Sequence, residues 1–375
     1  MSELFCFHQK QYRLRVLNIV VFTVFGFSLF AKEPLLTAEE LKTPPPKIIR
    51  TCCAYGVDLG IAGLPSIRKT DITSLSEIGS HHYLGHPDEG NGIVYTKRGG
   101  FIDLAHMRDC ADWTAYLYSL ILSTNFNGDS ITIDFGNEGG SKSLVLIIPS
   151  EFDDLDAYQL AGTIAYELSL WHEIATWFGA SYVPMIPERY SSFSPEDLYS
   201  NLLGVNLGIA ALQSHLEYND AMTLLITDIL DSLEAVTTTA ETYDAMEQVE
   251  NIWWSAEKPL PSKKILLKRY FDSDFTLTPW LVPGVVSMQP PYKLNKPDDD
   301  FSDLYQIRIK LNYKFPINAI LPAHIDRTIT QKDFDTFMTY IKQDITDLKL
   351  KMILRSYPRK KKKGKNQGQE LIWTI

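Results

Sequence analysis

Cysteine is scarce in this chain, with only 4 residues among 375. That number excludes a small disulfide-based scaffold, because such folds replace a missing hydrophobic core with several covalent cross-links. Cys52, Cys53 and Cys110 follow the N-terminal segment. Adjacent cysteines rarely pair with each other because the bond geometry is strained. Either Cys52 or Cys53 could pair with Cys110 in an oxidising compartment, and all three could equally be small buried residues.

Short motifs of nucleotide and serine-hydrolase chemistry are also lacking. The sequence contains no Gly-x-Ser-x-Gly, no phosphate-binding Walker loop and no dinucleotide fingerprint. The segment beginning at His172-Glu173 is similar to a zinc-protease helix, but Thr176 stands where that motif needs its second His. The zinc-protease motif is therefore rejected.

Negatively charged residues outnumber positively charged ones in the body of the chain. The net charge is -10, yet residues 1–31 carry +2 and residues 351–375 carry +7, which leaves -19 on the residues between them. An acidic body repels phosphates, so nucleic-acid binding by the main domain is not expected. Beyond the N-terminal segment, no apolar run is long enough to span a bilayer.

The N-terminal segment has the pattern of an export signal. Lys10, Arg13 and Arg15 precede an apolar run from Val16 to Ala31. The run has about 15 residues, fewer than the about 20 that a membrane-spanning helix needs. We predict a signal peptide over residues 1–31 and a periplasmic or secreted protein. The alternative is an uncleaved segment that anchors the protein to the inner membrane.

The remaining chain is predicted to form one domain. Residues 32–50 form a Pro-rich lead-in, residues 51–348 the main domain, and residues 349–375 a basic, disordered tail. Two apolar segments flank Asn137-Glu138-Gly139-Gly140, a sequence typical of a hairpin turn, and helical patterns dominate after it. The sequence thus predicts an α+β fold that is predominantly helical, with a small antiparallel sheet.

The first helix with candidate site residues should begin after Asp103 and run to about Ser123. Asp103, His106 and Cys110 are spaced i, i+3 and i+7, which places them on one face. Asp-x-x-His on a helix can present an oxygen and an imidazole nitrogen to one metal ion. In the alternative interpretation, Asp103 only caps the helix and His106 only forms hydrogen bonds in the core.

A second helix, predicted from Asp156 to Phe178, is apolar on nearly every side and is therefore expected to be buried. Its ionisable residues Glu167, His172 and Glu173 must then lie within the core or at its edge. Glu167 and His172 are about 140° apart around the helix, so a single ion would not easily bind both. Either His172 joins the first helix at a metal site, or one Glu has a raised pKa suited to acid–base catalysis.

A structural alternative is a buried salt bridge from Glu167 or Glu173 to Arg108. A histidine-rich loop just before the first helix could close a site formed by the two helices, or could simply be exposed. The loop residues in question are His81, His82, His86 and Glu89.

Several stretches resemble an uncharacterised family of exported bacterial proteins with a domain of unknown function. The most specific is Tyr95-Thr96-Lys97-Arg98-Gly99-Gly100-Phe101-Ile102-Asp103 with His106 and Arg108 after it. The others are Cys52-Cys53-Ala54-Tyr55-Gly56, Trp171-His172-Glu173 and Ser194-Pro195-Glu196-Asp197-Leu198-Tyr199-Ser200-Asn201. The resemblance covers roughly residues 50–345 and implies an exported bacterial protein. It supplies no activity, substrate or catalytic residue.

The sequence leads to two functional hypotheses. The first is a metal-assisted hydrolase of the cell envelope that uses zinc or another divalent metal to activate water. Its predicted metal ligands are Asp103, His106 and His172. Its predicted catalytic residues are Glu167, Glu173 and Arg108. The second is a non-catalytic envelope protein that binds a glycan, lipid or protein partner, in which the buried ions only lock the helices together. An uncleaved signal would add an N-terminal membrane contact.

Overall fold

The computed structural model describes residues 36–46, 49–50, 55–56, 60–61, 64–68, 72–124, 130–149, 152–179, 191–255, 266–271, 275–297, 301–323 and 326–356. The predicted signal segment, Cys52 and Cys53 lie outside these residues, as does the tail after Ser356. The predicted α+β fold with predominant helix is confirmed. Helices in the described ranges do not combine the length and the apolar character that a bilayer-crossing segment requires.

The α-helices of the described residues are α1 (Leu104–Ser123), α2 (Asp154–Trp177), α3 (Asp197–Leu212), α4 (Tyr218–Ser232), α5 (Thr239–Gln248), α6 (Ile317–Ile320) and α7 (Phe334–Ser356). Helices α1, α2 and α3 pack on one another and form the centre of the fold. Helix α1 begins as predicted, because the Asp103 side chain accepts hydrogen bonds from the backbone N–H groups of Ala105 and His106. Helix α7 ends at Ser356, so the first residues of the predicted disordered tail are helical.

Most strands pair as antiparallel hairpins. The strands are β1 (Gly60–Ile61), β2 (Leu64–Arg68), β3 (Ile93–Thr96), β4 (Gly100–Asp103), β5 (Ser130–Asn137), β6 (Gly140–Ile147), β7 (Thr276–Leu277), β8 (Leu294–Asn295), β9 (Tyr305–Leu311) and β10 (Thr328–Thr330). The main sheet has the strand order β10-β9-β6-β5, and all of its pairs are antiparallel. The predicted hairpin is the β5–β6 unit.

The β5–β6 turn rests directly on α2. The indole nitrogen of Trp171 donates a hydrogen bond to the backbone oxygen of Glu138 at 2.9 Å. Gly139 has a φ of +71°, and a Cβ there would lie 2.8 Å from the Trp171 ring. Glycine is required at this point by both the backbone angle and the close approach. The turn therefore holds the Glu138 side chain beside α2.

Helices α1 and α3 run parallel and touch through their backbones. A Cβ on Gly204 would lie 1.9 Å from the Met107 carbonyl oxygen, and a Cβ on Gly208 would lie 3.0 Å from Ala111. At the start of α1, the backbone N–H of Asp103 donates to the hydroxyl of Ser200 at 2.9 Å. These contacts advance by four residues along both helices. The two helix N-termini therefore lie side by side.

We expect Gly204→Ala to lower the free energy of unfolding by roughly 1–3 kcal/mol, because the added methyl group collides with the backbone of α1. The loss should appear although alanine favours helix over glycine by about 1 kcal/mol. Chemical denaturation would measure it. Asn206→Ala, at a partly exposed position of the same helix, is the control and should change stability little. A Gly204→Ala variant as stable as the wild type would contradict the contact.

A buried ion network fastens the segment before β3 to α1. The guanidinium of Arg50 donates to Glu89 at 2.5 and 2.7 Å, to Asp109 at 2.9 Å and to Asp112 at 3.0 Å. Arg108, which is fully buried, lies 3.5 Å from the same Glu89 carboxylate. Removing one member of such a network leaves uncompensated charge in the core, which typically costs several kcal/mol.

This network includes His81, one of the histidines in the predicted histidine-rich loop. His81 lies 3.0 Å from the Asp112 carboxylate, whereas the His82 and His86 rings contact each other. Arg108 pairs with Glu89 instead of with a glutamate of α2. Around α1, Arg108 and His106 are about 160° apart, so the Arg108–Glu89 pair lies on the opposite side of the helix from His106.

We expect the Glu89 pair to make stability acid-sensitive. Burial alone would raise the pKa of Glu89, but the hydrogen bond and charge of Arg50 outweigh it and lower the pKa to about 2. The pair therefore stabilises the fold above the ordinary pKa of about 4.5, and the contribution disappears as the pH falls towards 2. Glu89→Gln should cost roughly 3–5 kcal/mol at pH 7 and flatten this acid dependence.

Denaturant unfolding between pH 7 and pH 3 would measure both effects. The exposed Glu247 offers a matched control, since Glu247→Gln removes a carboxylate that is not in the network. Equal acid dependence in Glu89→Gln and the wild type would show that this pair does not govern the transition.

Candidate metal centre

One imidazole and two carboxylates converge where α1, α2 and α3 meet. His106, Glu173 and Asp197 each offer a donor atom, and these atoms lie within 4.8 Å of one another. Nδ1 of His106 is 3.4 Å from Oδ1 of Asp197. Two ligands bound at 2.0–2.1 Å to a tetrahedral metal are themselves about 3.4 Å apart. The exposed fractions of the three residues are 8%, 2% and 4%. We call them the triad.

A tight turn before α3 holds the two carboxylates together. The backbone N–H of Phe193 donates to Glu173 at 2.6 Å, and the N–H of Ser194 donates to Asp197 at 2.8 Å. The Ser192 hydroxyl donates to the backbone oxygen of Glu173 at 2.8 Å. Phe193 has a φ of +55°, a left-handed conformation that costs a non-glycine residue roughly 1–2 kcal/mol. With this conformation, the successive N–H groups of Phe193 and Ser194 point to the two carboxylates.

The triad combines two buried carboxyl groups with one imidazole. Burial, followed by the charge of Asp197, raises the pKa of Glu173 to about 8. Burial likewise raises the pKa of Asp197, although the neighbouring His106 opposes this shift. In the absence of a cation, the pair of carboxylates therefore retains a proton near neutral pH. A divalent cation could take the place of that proton.

The donor set fits a borderline or hard divalent metal. An imidazole with two carboxylates suits zinc, iron or manganese, whereas soft metals prefer thiolates. Cys110 is close by, but its Sγ donates to the side-chain oxygen of Asn201 at 3.4 Å. Burial raises the pKa of the Cys110 thiol to about 12, which keeps it protonated. The thiol is not among the donor atoms that converge in the triad.

A cleft between α1 and α2 adjoins the triad at His106. The volume open to the centres of water molecules is about 50 Å³, enough for a few waters. Each of the two helices lines the cleft with residues at i, i+3, i+4 and i+7, the spacing of one helical face. The lining residues are His106, Asp109, Cys110, Trp113, Glu138, Lys142, Ala165, Leu168, Ser169, His172 and Asn201.

His172 stands across the cleft from the triad. Its ring centroid is 6.5 Å from that of His106, and its Nδ1 is 2.8 Å from the Glu138 carboxylate. Lys142 donates to the same carboxylate at 2.6 Å. Burial alone would raise the pKa of Glu138, but the charge of Lys142 and the hydrogen bonds from His172 and Lys142 hold it well below its usual range. Glu138 is thus an ionised, buried partner for His172.

The structure brings some of the predicted site residues together and separates others. His106 and Glu173 share the triad, and His172 faces them across the cleft. Asp103 caps α1, where it accepts the N–H of His106 at 3.2 Å. Glu167 is half-buried on α2 and is neither in the triad nor among the cleft-lining residues.

Two functional candidates were missed by the sequence reasoning. Asp197 has the signature of a helix-capping acid, and Glu138 has that of a hairpin-turn residue, so local structure accounted for both. A usable signal for Asp197 is its spacing: with Asn201, Gly204 and Gly208 it forms the i, i+4, i+7, i+11 face of α3. Small residues on that face indicate a close helix neighbour.

Comparison with known proteins identifies a family without an assigned activity. Residues 40–283 match the family described as protein of unknown function, DUF4056. That range contains all three triad residues and every residue that lines the cleft. No curated protein and no solved structure matches the chain. Since the match covers well over half of the sequence, the chain belongs to the DUF4056 family of proteins of unknown function.

Proposed function

We propose that this protein is a metal-dependent hydrolase whose divalent cation is held by His106, Glu173 and Asp197. The main support for this proposal is that one imidazole and two buried carboxylates, each from a different helix, have donor atoms within 4.8 Å of one another. Catalytic metal sites commonly use three protein ligands and leave at least one position for water or substrate. The triad supplies three ligands, and the adjoining cleft supplies room for a small substrate group.

Charge balance favours a metal over a simple ion pair. A buried His–carboxylate pair is neutral with one carboxylate, whereas the triad has two carboxylates for one imidazole. An uncompensated charge in a core is expensive, so a fold that places a second carboxylate there needs a compensating cation or proton. A divalent cation with two carboxylates and a neutral imidazole gives an uncharged centre.

Each residue around the proposed metal centre has a distinct role in this proposal. A bound divalent cation supplies Lewis acidity, which activates water at neutral pH and polarises a substrate. Phe193 and Ser194 fix the two carboxylates through their N–H groups, and Asp103 fixes the start of α1. In this proposal Glu173 acts as a ligand, and His172 is an ionisable residue of the cleft that does not hold the metal.

We further propose that the enzyme acts in the periplasm or outside the cell. Its support is the basic and apolar N-terminal pattern of Lys10, Arg13, Arg15 and the run from Val16 to Ala31. The acidic body between the two basic ends is consistent with a substrate other than nucleic acid.

We expect the full chain, purified without chelators, to hold one divalent ion that elemental analysis detects. His106→Ala, Glu173→Gln and Asp197→Asn should each weaken binding by more than about tenfold, since even outer residues of metal sites have effects of 10–100-fold. Metal at 100 times its dissociation constant should stabilise the fold by about 2.7 kcal/mol, measurable as a rise in Tm.

His215→Asn is the matched control, because His215 is exposed on the segment after α3 and is not in the triad. The control variant should keep full metal content. A wild-type protein that neither contains nor takes up Zn²⁺, Mn²⁺ or Fe²⁺ would overturn the proposal and favour the non-catalytic alternative.

A further inference from the structure

We infer that the cleft between α1 and α2 receives an uncharged acyl group, an ester or an amide, and that His172, oriented by Glu138, transfers the proton in its hydrolysis. This inference rests on the proposed metal centre and adds the substrate class and a further catalytic residue. Neither His172 nor Glu138 is needed to hold the metal in that proposal.

Two buried side chains, Glu138 and Lys142, fix the orientation of His172. Glu138 approaches Nδ1 of His172 at 2.8 Å, and Lys142 fixes Glu138 at 2.6 Å. Glu138 is 4% exposed, whereas the His172 side chain is 21% exposed and lines the cleft. A carboxylate at Nδ1 places a proton on that nitrogen, which gives Nε2 the role of acceptor. The same order of base and orienting acid recurs in catalytic triads on unrelated folds.

The charges around the cleft argue for an uncharged substrate. Lys142 is paired with Glu138, and Asp109 is paired with Arg50 at 2.9 Å. Lys142 is the only Lys or Arg among the described residues that line the cleft. A phosphate or carboxylate substrate would lose its hydration without gaining a cationic side chain, which is costly.

The remaining lining fits an acyl group. Trp113, Ala165 and Leu168 provide an apolar wall for the carbon portion. The Asn201 side-chain oxygen accepts the Cys110 thiol, so the amide NH₂ of Asn201 is the end that offers hydrogen-bond donors. A carbonyl oxygen is the complementary acceptor. The cleft thus joins an apolar surface, a donor and a proton acceptor, which are the elements of an acyl-hydrolase site.

The inferred step balances in atoms and charge. A water O–H proton goes to Nε2 of His172 while the water oxygen forms a bond to the acyl carbon. The bond from that carbon to the leaving oxygen or nitrogen then breaks, and the leaving group takes the proton from Nε2. The products are a carboxylic acid and an alcohol or amine, and His172 is returned to its starting form.

The kinetic test uses the full chain loaded with zinc and two chromogenic probes. We expect turnover of p-nitrophenyl acetate, an uncharged ester, in preference to bis(p-nitrophenyl) phosphate, an anionic phosphodiester. His172→Ala should lower kcat by about 10²–10⁴-fold with unchanged zinc content. Glu138→Gln, which keeps the shape of the side chain, should lower kcat less than His172→Ala does. The exposed-site control His215→Asn should retain wild-type turnover.

A second readout is independent of turnover and of metal. Long-range ¹H–¹⁵N spectra should show the His172 proton on Nδ1 in the wild type and a mixture of tautomers in Glu138→Ala. Preference for the phosphodiester, or turnover of neither probe by zinc-loaded protein, overturns the acyl assignment. Full activity of His172→Ala, or a wild-type Nε2–H tautomer, overturns the role of His172. Failure of the wild type to bind metal overturns the proposed function, and the tautomer measurement still decides the His172–Glu138 pair.

Discussion

The close parallel packing of α1 on α3 is the constraint on which the rest of the site depends. Gly204 allows the Met107 carbonyl to approach α3 more closely than any side chain would permit. This contact fixes the relative height of the two helices and sets their first turns side by side. His106, one residue before Met107, is thereby carried to Asp197. Glu173 of helix α2 then completes the triad beside these two residues.

A second constraint is electrostatic. Helix α1 contributes residues to two buried groups of ionisable side chains, which are the network around Arg50 and Glu89 and the triad. In the network, the guanidinium of Arg50 donates to each of the carboxylates Glu89, Asp109 and Asp112. In the triad, two carboxyl groups share one imidazole, and backbone N–H groups donate to both of them. This difference is the reason for proposing a cation at the triad and not at the network.

Much of the architecture could be predicted because it follows from local chemistry. Asp103 predicted the start of α1, and the glycines after Glu138 predicted the hairpin. His106 and Glu173 could be predicted as site residues because ionisable groups on buried, apolar helices are costly unless they are paired or bind a ligand. The partners of these residues could not be predicted in the same way. Asp197 and Glu138 each satisfy a local rule, and their contacts with α1 and α2 depend on tertiary packing between segments distant in sequence.

The triad also has a consequence for the order of folding. Its donor atoms come from three helices, and none exists as a site until those helices have docked. A cation held there would act as a non-covalent cross-link between distant parts of the chain, in a protein whose described cysteine, Cys110, is a free thiol. Metal would then bind late in folding and slow local separation of α1, α2 and α3. If the proposed cation binds there, its removal would make the chain more susceptible to proteolysis.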